Sequence, residues 1–155
     1  MPKESFLILS AIAFSIFLTI SASGQATRKR VSASEVTGTF RREFTGKFRG
    51  SSSEIRIVSI GRGKLRVAFD LIYPYEIGDG ELTANTGTAD GEARIEGDTA
   101  VYSSNEFGPC RITIKFVRPG RINAAQKGSD ADCGFGHNVS ADGGYKKVSS
   151  AKPKF

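Results

Sequence analysis

The sequence predicts an all-β protein, a small antiparallel barrel of about eight strands, with a two-sheet β-sandwich as the alternative. Short runs of alternating apolar and polar residues recur about every 8 to 15 positions. Glycine is frequent, at 18 of 155 residues, and most glycines fall between these runs. No segment of the mature chain has the apolar spacing of a good helix. Closing the sheet into a barrel removes the exposed edges that such strands would otherwise leave.

Residues 1–26 are predicted to form a signal peptide. Lys3 precedes an almost uninterrupted apolar run at residues 6–20, and small residues follow, with cleavage expected after Gly24 or Ala26. The apolar run is short for a membrane span. We therefore expect a secreted or periplasmic protein with no stable membrane anchor after signal cleavage.

The mature chain is predicted to contain one domain. Residues 27–35 lack periodicity and are interpreted as a flexible basic leader, residues 36–148 as a single β-barrel domain, and residues 149–155 as a polar tail. A domain of this size can bury a modest core.

The first part of the domain carries three phenylalanines at a spacing of four, Phe40, Phe44 and Phe48. This spacing suits one face of a strand or of a helix. The neighbouring glycines and threonines favour strand, so two short strands are predicted, with a break near Gly46.

A hairpin is predicted over residues 53–75, with its turn at residues 61–63. Its second arm alternates Leu65, Val67, Phe69 and Leu71 with polar or small residues, which is the period of a half-buried strand. Pro74 is expected to end this strand because proline cannot donate a hydrogen bond to a ladder. A further turn is predicted at residues 78–80.

Three more segments complete the predicted barrel. Residues 91–104 form a hairpin around Gly97 and Asp98. Residues 110–128 form the clearest hairpin, with a turn at Pro119 and Gly120. Residues 134–148 are interpreted as the final strand and turn. In the 110–128 hairpin, one face is made by Cys110, Ile112, Ile114 and Phe116, and in the final segment Val139 and Tyr145 are candidates for the core.

The two cysteines, Cys110 and Cys133, are predicted to form a disulfide. An exported chain meets an oxidising compartment. The 110–128 hairpin places residues 128–130 opposite Cys110, a few residues before Cys133. In the chain-entropy model a bridge of this span stabilises the fold by about 3 kcal/mol.

The stretch around Cys133 offers competing chemical interpretations. Cys133 and His137 could form a thiolate–imidazole pair, and Cys110, Cys133, His137 and Asp132 could bind zinc if both thiols stayed reduced. Asp130 and Asp132 resemble part of a calcium loop but are short of oxygen ligands. The disulfide and backbone-capping aspartates are favoured, so neither metal nor cofactor is expected. His137, Asp130 and Asp132 are kept as possible binding residues.

The net charge of +6 is concentrated at the two ends of the chain. Residues 28–49 have seven Lys and Arg against two Glu, residues 50–145 have ten against thirteen acids, and residues 146–155 add four lysines. A mildly acidic body with basic termini does not predict a continuous basic face. No nucleic-acid partner is expected.

The C-terminal part of the chain carries a distinctive pattern. The strand CRITIKF is followed by CGFGHNVSADGGYKK, and residues 99–147 resemble small exported bacterial proteins that end in Cys-Gly-Phe-Gly…Val…Gly-x-Tyr. More distantly the chain is similar to the eight-stranded barrels of periplasmic lysozyme inhibitors. The resemblance implies a barrel and an inhibitory role, and it assigns no inhibitory residue.

Three functional hypotheses follow. The first is an exported, non-enzymatic β-barrel that binds an unknown protein or small ligand in the envelope or outside the cell. A lysozyme-inhibitor-like protein is the second. The third is a small secreted hydrolase that uses His137. A filled barrel interior would direct attention to the loops, whereas a cavity would favour a small ligand.

Overall fold

The predicted antiparallel barrel of about eight strands is confirmed: the protein is a closed barrel of eight strands, which follow one another in chain order. A computed structural model describes residues 30–117 and 120–155. Each strand pairs with the next, and β8 returns to pair with β1. The strands are β1 (Gly38–Glu43), β2 (Ser52–Gly61), β3 (Lys64–Ile77), β4 (Glu81–Glu96), β5 (Thr99–Ser104), β6 (Cys110–Val117), β7 (Arg121–Lys127) and β8 (Gly143–Ser149). The predicted signal peptide lies outside the described residues.

Side chains fill the interior of the barrel. The alternation of each strand directs every second residue inward, where the rings of Phe69 and Tyr102 pack 5.3 Å apart and those of Phe40 and Phe116 pack 6.2 Å apart. Tyr145 is buried, and its hydroxyl donates to the carbonyl of Ala141 at 3.0 Å. Because the interior is filled, a partner or ligand would have to bind at the surface of the barrel or at its loops.

A short helix covers the end of the barrel where β1 begins. This helix, α1 (Ala33–Val36), starts at Ser32, whose side chain and that of Glu35 form a capping box. Val36 is buried in the core. The Lys147 ammonium donates to three backbone carbonyls at the helix end, and burial lowers the pKa of that ammonium. The domain thus begins before the predicted boundary at residue 36, within the segment interpreted as a leader.

The first hairpin differs from its prediction after Glu43. β1 ends there, and Gly46–Phe48 form one turn of 3-10 helix instead of a second strand. Phe40 is buried, but Phe44 and Phe48 are only half-buried. The reason is that Gly46 takes a φ of 63° and turns the chain back, so the spacing of four does not continue along one strand.

The prediction that Pro74 ends β3 is wrong. The strand continues to Ile77, and Pro74 pairs with Ala84 of β4. The β2–β3 register ends at Glu54 and Asp70, so the part of β3 that contains Pro74 has a ladder partner only in β4. On the side of Pro74 that faces away from β4, no strand within the described part of the chain is present to accept a hydrogen bond. Proline, which has no N–H, is therefore tolerated at this edge position.

The β6–β7 hairpin confirms its prediction. Arg111 pairs with Lys127, and Val117 pairs with Arg121. The alternate residues from Cys110 to Phe116 are buried. Pro119, the first residue of the predicted turn, lies outside the described residues, while Gly120 has a φ of 60°.

Ion pairs link the outer faces of the first four strands. Arg41 of β1 pairs with Glu54 of β2, and Arg56 of β2 pairs with Asp70 of β3. Between β3 and β4, Arg66 pairs with Asp90 and Lys64 pairs with Glu92. We call these four cross-strand pairs the ion-pair ladder.

The C-terminal tail lies against the outside of the barrel. The Arg56 guanidinium donates to the carbonyl of Lys154 at 2.8 Å, and the Phe155 ring lies 5.9 Å from the Arg56 guanidinium and 5.3 Å from that of Arg66. Within residues 30–117 and 120–155, no helix has the length and apolar character needed to cross a membrane.

Candidate binding surface at the open end of the barrel

The predicted disulfide is confirmed, and it anchors a long loop at the end of the barrel opposite α1. Cys110 opens β6, and its sulfur is bonded to that of Cys133, 23 residues later. The prediction that residues 134–142 belong to the final strand is wrong, because β8 begins only at Gly143. We call residues 128–142 the disulfide loop.

Inside the disulfide loop, several backbone N–H groups donate to side chains rather than to a neighbouring strand. The backbone N–H groups of Asn138 and Ala131 donate to the Asp130 carboxylate, and the N–H of Ser129 donates to that of Asp132. The loop therefore satisfies its backbone locally, which explains why it does not extend β8. Asp130 and Asp132 have the capping role that was favoured for them.

The disulfide loop also covers part of the edge of β4. β5 pairs only with the last four residues of β4, which leaves the preceding part without a strand neighbour on that side. Phe135 forms a single bridge with Gly87, and the N–H of Gly136 donates to the carbonyl of Thr86 at 3.0 Å. A Cβ atom on Gly87 would lie 2.7 Å from the Phe135 ring. The ring thus rests directly on the glycine backbone.

His137 lies at the surface of the disulfide loop. Its side chain is 81% exposed, and its Nδ1 lies 3.7 Å from Oδ2 of Asp130. The N–H of Asn138 is the main reason that the pKa of the Asp130 carboxyl is lowered, and the N–H of Ser129 lowers that of Asp132. The backbone carbonyl of His137 accepts a hydrogen bond from Asn85 of β4 at 2.7 Å. The structure thus brings His137 and Asp130 together and joins their loop to β4.

Metal ligation finds no support in the part of the chain that the structure describes. No group of three or more His, Cys, Asp or Glu side chains in that part is placed to hold an ion. Both cysteine sulfurs are taken up by the disulfide.

The β3–β4 hairpin extends beyond the barrel. We call residues 73–85 the arm, because β3 has no β2 partner from Tyr73 onward and β4 has no β5 partner before Ala93. Tyr73, Ile77 and Leu82 are 42%, 43% and 49% exposed. The rings of Tyr73 and Tyr75 stack 6.5 Å apart on the face that continues the inner face of β3. The arm thus presents aromatic and aliphatic side chains to solvent.

Acidic residues surround the exposed apolar side chains of the arm. Asp79 lies in the turn at the tip, Glu81 follows that turn, and Glu76 pairs with Lys47 of the neighbouring loop. The arm and the disulfide loop contain three acids each and no Lys or Arg. We call the arm and the disulfide loop together the open-end surface, which combines apolar side chains with an acidic rim.

The arm also has an unpaired backbone edge. The carbonyl of Thr86 points away from β3, toward Gly136. Alternation then directs the backbone groups of Leu82 and Ala84 to the same side. Among the described residues, no backbone group bonds to those of Leu82 and Ala84 on that side.

A cleft of about 490 Å³ opens where β4 and β5 separate. The apolar residues that line it include Tyr102, Phe107, Cys133 and Phe155 of the tail. Four of the five charged residues that line it are already paired, Arg66 with Asp90 and Arg56 with Asp70, and Glu106 is the fifth. The cleft is therefore a weaker candidate than the open-end surface.

The arm was missed at the sequence level because Pro74 was expected to end β3. The signal that could have found it is the GDG turn at residues 78–80 with apolar residues on both sides, Tyr73, Tyr75 and Ile77 before it and Leu82 after it. Apolar residues that continue through a proline to a tight turn are typical of a strand that outruns its neighbour.

Comparisons with known proteins add no family to this description. No protein-family model, curated protein or solved structure matches the chain significantly.

Proposed function

We propose that this protein is an exported binding protein whose open-end surface binds a partner protein. The observation that carries the proposal is the arm, on which Tyr73, Ile77 and Leu82 are exposed although the barrel interior is filled. Grouped exposed apolar side chains with a polar rim are typical of protein-binding surfaces, and tyrosine is enriched there. Export itself is inferred from the signal-like N-terminus, and the disulfide is compatible with it.

The arm supports recognition through its backbone as well as its side chains. Leu82 and Ala84 direct N–H and C=O groups to a free edge, on which an extended segment of a partner can add as a further strand. Leu82 belongs to this edge strand and is 49% exposed, so strand addition would also bury part of an apolar side chain. The acids at the tip and in the disulfide loop favour a partner whose contact surface is basic.

An animal lysozyme is the partner class that combines this chemistry with the resemblance to periplasmic lysozyme inhibitors. Animal lysozymes are basic, and Asp79, Glu81 and Asp130 lie on the surface proposed to contact the enzyme. Binding there would make this protein lysozyme-inhibitor-like.

Titration of an animal lysozyme with the purified mature protein tests the proposal. We expect binding at micromolar or lower concentration, weakened by salt because the acidic rim contributes, together with reduced hydrolysis of cell walls. An unchanged lysozyme rate and no heat of binding at these concentrations would remove the lysozyme proposal.

The His137→Ala variant distinguishes binding by the arm from any chemistry of the imidazole. His137 lies at the base of the arm, and its contact with Asn85 uses the backbone carbonyl, which alanine retains. We therefore expect the variant to bind like the parent protein. Complete loss of function in a folded His137→Ala protein would favour the hydrolase hypothesis instead.

A further inference from the structure

The outer surface of the last three strands carries five exposed cations. Alternation directs Arg111 and Lys115 of β6, Arg121 and Lys127 of β7, and Lys146 of β8 away from the core. All five are exposed. We call them the cationic face. The sequence did not predict it, because the net charge of a segment does not show which side of a strand each charged side chain occupies.

No acid neutralises the cationic face within its own strands. The segments that form β5 to β8 contain no Asp or Glu. Within residues 30–117 and 120–155, the five cations make no ion pair, whereas Arg41, Arg56, Lys64 and Arg66 of the first strands are all paired in the ion-pair ladder. The cationic face is therefore open to an external anion.

The register of the sheet places like charges opposite each other. Arg111 is the direct partner of Lys127, and Arg121 is the direct partner of Lys146. Lys115 is diagonal to Arg121, since it pairs with Asn123. Directly opposed like charges destabilise a sheet. A bound anionic surface would remove this repulsion.

The remaining side chains of the cationic face indicate the kind of anion. Between the cations lie small or short residues, Thr113, Asn123, Ala125 and Gly144, and no aromatic ring. Single-stranded nucleic acids are usually held by stacking on aromatic side chains in a groove. The headgroups of a bilayer are mobile and can move to the cations, so they need neither a groove nor a stacking platform.

Two exposed apolar side chains adjoin the cations. Val117 is paired with Arg121, and Val148 follows Lys146 by two residues on the same outer side of β8. They are 36% and 46% exposed. Basic residues combined with exposed apolar side chains suit contact with the interface of an anionic membrane.

We propose that the cationic face binds the surface of a bilayer that contains anionic phospholipid. The contact is peripheral and reversible, since it involves five charges and two valines and no inserted helix. It is independent of the arm, which extends from the other side of the barrel, so each proposal can fail without the other. Because charge screening is strong in salt, with a Debye length of about 3 Å at 1 M, high salt is expected to release the protein.

Co-sedimentation with vesicles tests this proposal. The protein is mixed with vesicles of phosphatidylcholine alone or with about one-third phosphatidylglycerol. We expect binding at least about tenfold stronger to the anionic vesicles, and release in 1 M salt. Equal binding to both kinds of vesicle would overturn the proposal.

Matched variants locate the contact. Lys115→Gln/Arg121→Gln/Lys146→Gln removes three unpaired cations, and Arg56→Gln/Lys64→Gln/Arg66→Gln removes three cations of the ion-pair ladder, so both lower the net charge equally. We expect the first variant to lose at least about tenfold in vesicle affinity and the second to lose about twofold or less. Equal losses would show that net charge alone is responsible, and would overturn the proposal. Thermal unfolding verifies that each variant is folded.

A soluble polyanion distinguishes the bilayer from other anionic partners. Dextran sulfate and a short single-stranded DNA are titrated at the salt used for vesicles. Binding to either one, combined with no sedimentation on anionic vesicles, would overturn the bilayer proposal in favour of a soluble polyanion.

Discussion

The two halves of the barrel obey the same inward pattern but differ in what they turn outward. In β1 to β4, cations such as Arg56 and Arg66 face carboxylates on neighbouring strands. In β5 to β8, cations such as Lys115 and Lys146 have no carboxylate in their strands. The first half also extends into the arm, whereas the second half has shorter strands and carries the disulfide.

Residue type alone therefore does not determine whether a charged side chain on a strand stabilises the sheet. Arg66 forms a cross-strand ion pair with Asp90, which stabilises the sheet. Lys127 is paired in register with Arg111, and the repulsion between the two like charges destabilises the sheet. The same reasoning applies to apolar residues, since Phe69 stabilises the core and Ile77, eight residues along the same strand, is exposed.

The largest effect on the free energy of unfolding is expected from removing the disulfide between Cys110 and Cys133, which lies in the second half of the barrel. We expect Cys110→Ser/Cys133→Ser to lower the free energy of unfolding by about 3 kcal/mol, because the bridge closes a loop across 23 residues. Urea unfolding of the oxidised parent and the variant measures the difference. A loss below about 1 kcal/mol would show that the loop is held by its other contacts.

The next effect concerns the junction at which the disulfide loop meets β4. Gly87→Ala is expected to cost about 1 to 3 kcal/mol, because the added Cβ would lie 2.7 Å from the Phe135 ring in a packed site. Gly144→Ala is the control, since its Cβ would lie 3.4 Å from the nearest atom, Oδ1 of Asn123, on the exposed face of β8. Equal costs for both variants would contradict this packing of Phe135.

A smaller effect is expected at Tyr145, which joins the core to the disulfide loop. Tyr145→Phe removes the hydrogen bond to the Ala141 carbonyl and is expected to cost about 1 to 2 kcal/mol near neutral pH. Chemical unfolding of both proteins at matched pH values measures this cost.

The same variant has a predictable pH dependence. Burial raises the pKa of Tyr145 to about 12, above the value of about 10 expected in the unfolded chain. The contribution of the neutral hydroxyl is therefore complete below pH 10 and is lost as the pH rises toward 12. The difference in the free energy of unfolding between the parent protein and Tyr145→Phe should therefore decrease as the pH rises from 10 to 12. A constant difference up to pH 12 would contradict the burial of the hydroxyl.

The smallest effects on the free energy of unfolding come from removing single surface cations, and their signs are expected to be opposite in the two halves of the barrel. We expect Arg66→Gln to lower the free energy of unfolding by about 0.5 kcal/mol, because Asp90 loses its partner. Lys127→Gln should raise the free energy of unfolding by a few tenths of a kcal/mol, because it relieves repulsion with Arg111. Both changes should shrink in high salt. The same sign for both variants would remove the distinction between paired and unpaired cations.

The barrel and the disulfide could be predicted because they depend on local patterns. The alternation from Cys110 to Phe116 fixes which side of β6 is buried, and the following hairpin brings the chain back toward Cys133. Strand ends were less predictable. Pro74 is compatible with β3 only because β2 has already ended, which is a fact about a neighbouring strand.

The candidate surfaces could not be predicted, because they depend on which residues of neighbouring strands and loops lie beside each other. Sequence patterns do not show this. Residues 134–142 were assigned to the final strand and turn, yet the Asp130 carboxylate accepts the N–H of Asn138 and the segment is a loop. Lys127 and Arg111 are 16 positions apart, and only the β6–β7 register shows that they face each other. His137 was kept as a possible binding residue, but the sequence did not show that its backbone contacts Asn85 of the arm.

The most direct test of the proposed function measures lysozyme binding by calorimetry for matched apolar variants. Ile77→Ser/Leu82→Ser changes the arm, and Ile60→Ser/Val117→Ser changes two exposed aliphatic residues at the opposite end of the barrel. If the arm is the binding surface, the first variant loses at least about tenfold in affinity with an unchanged melting temperature, and the second binds like the parent. Equal affinity of the arm variant and the parent, or no binding by the parent, would contradict the account.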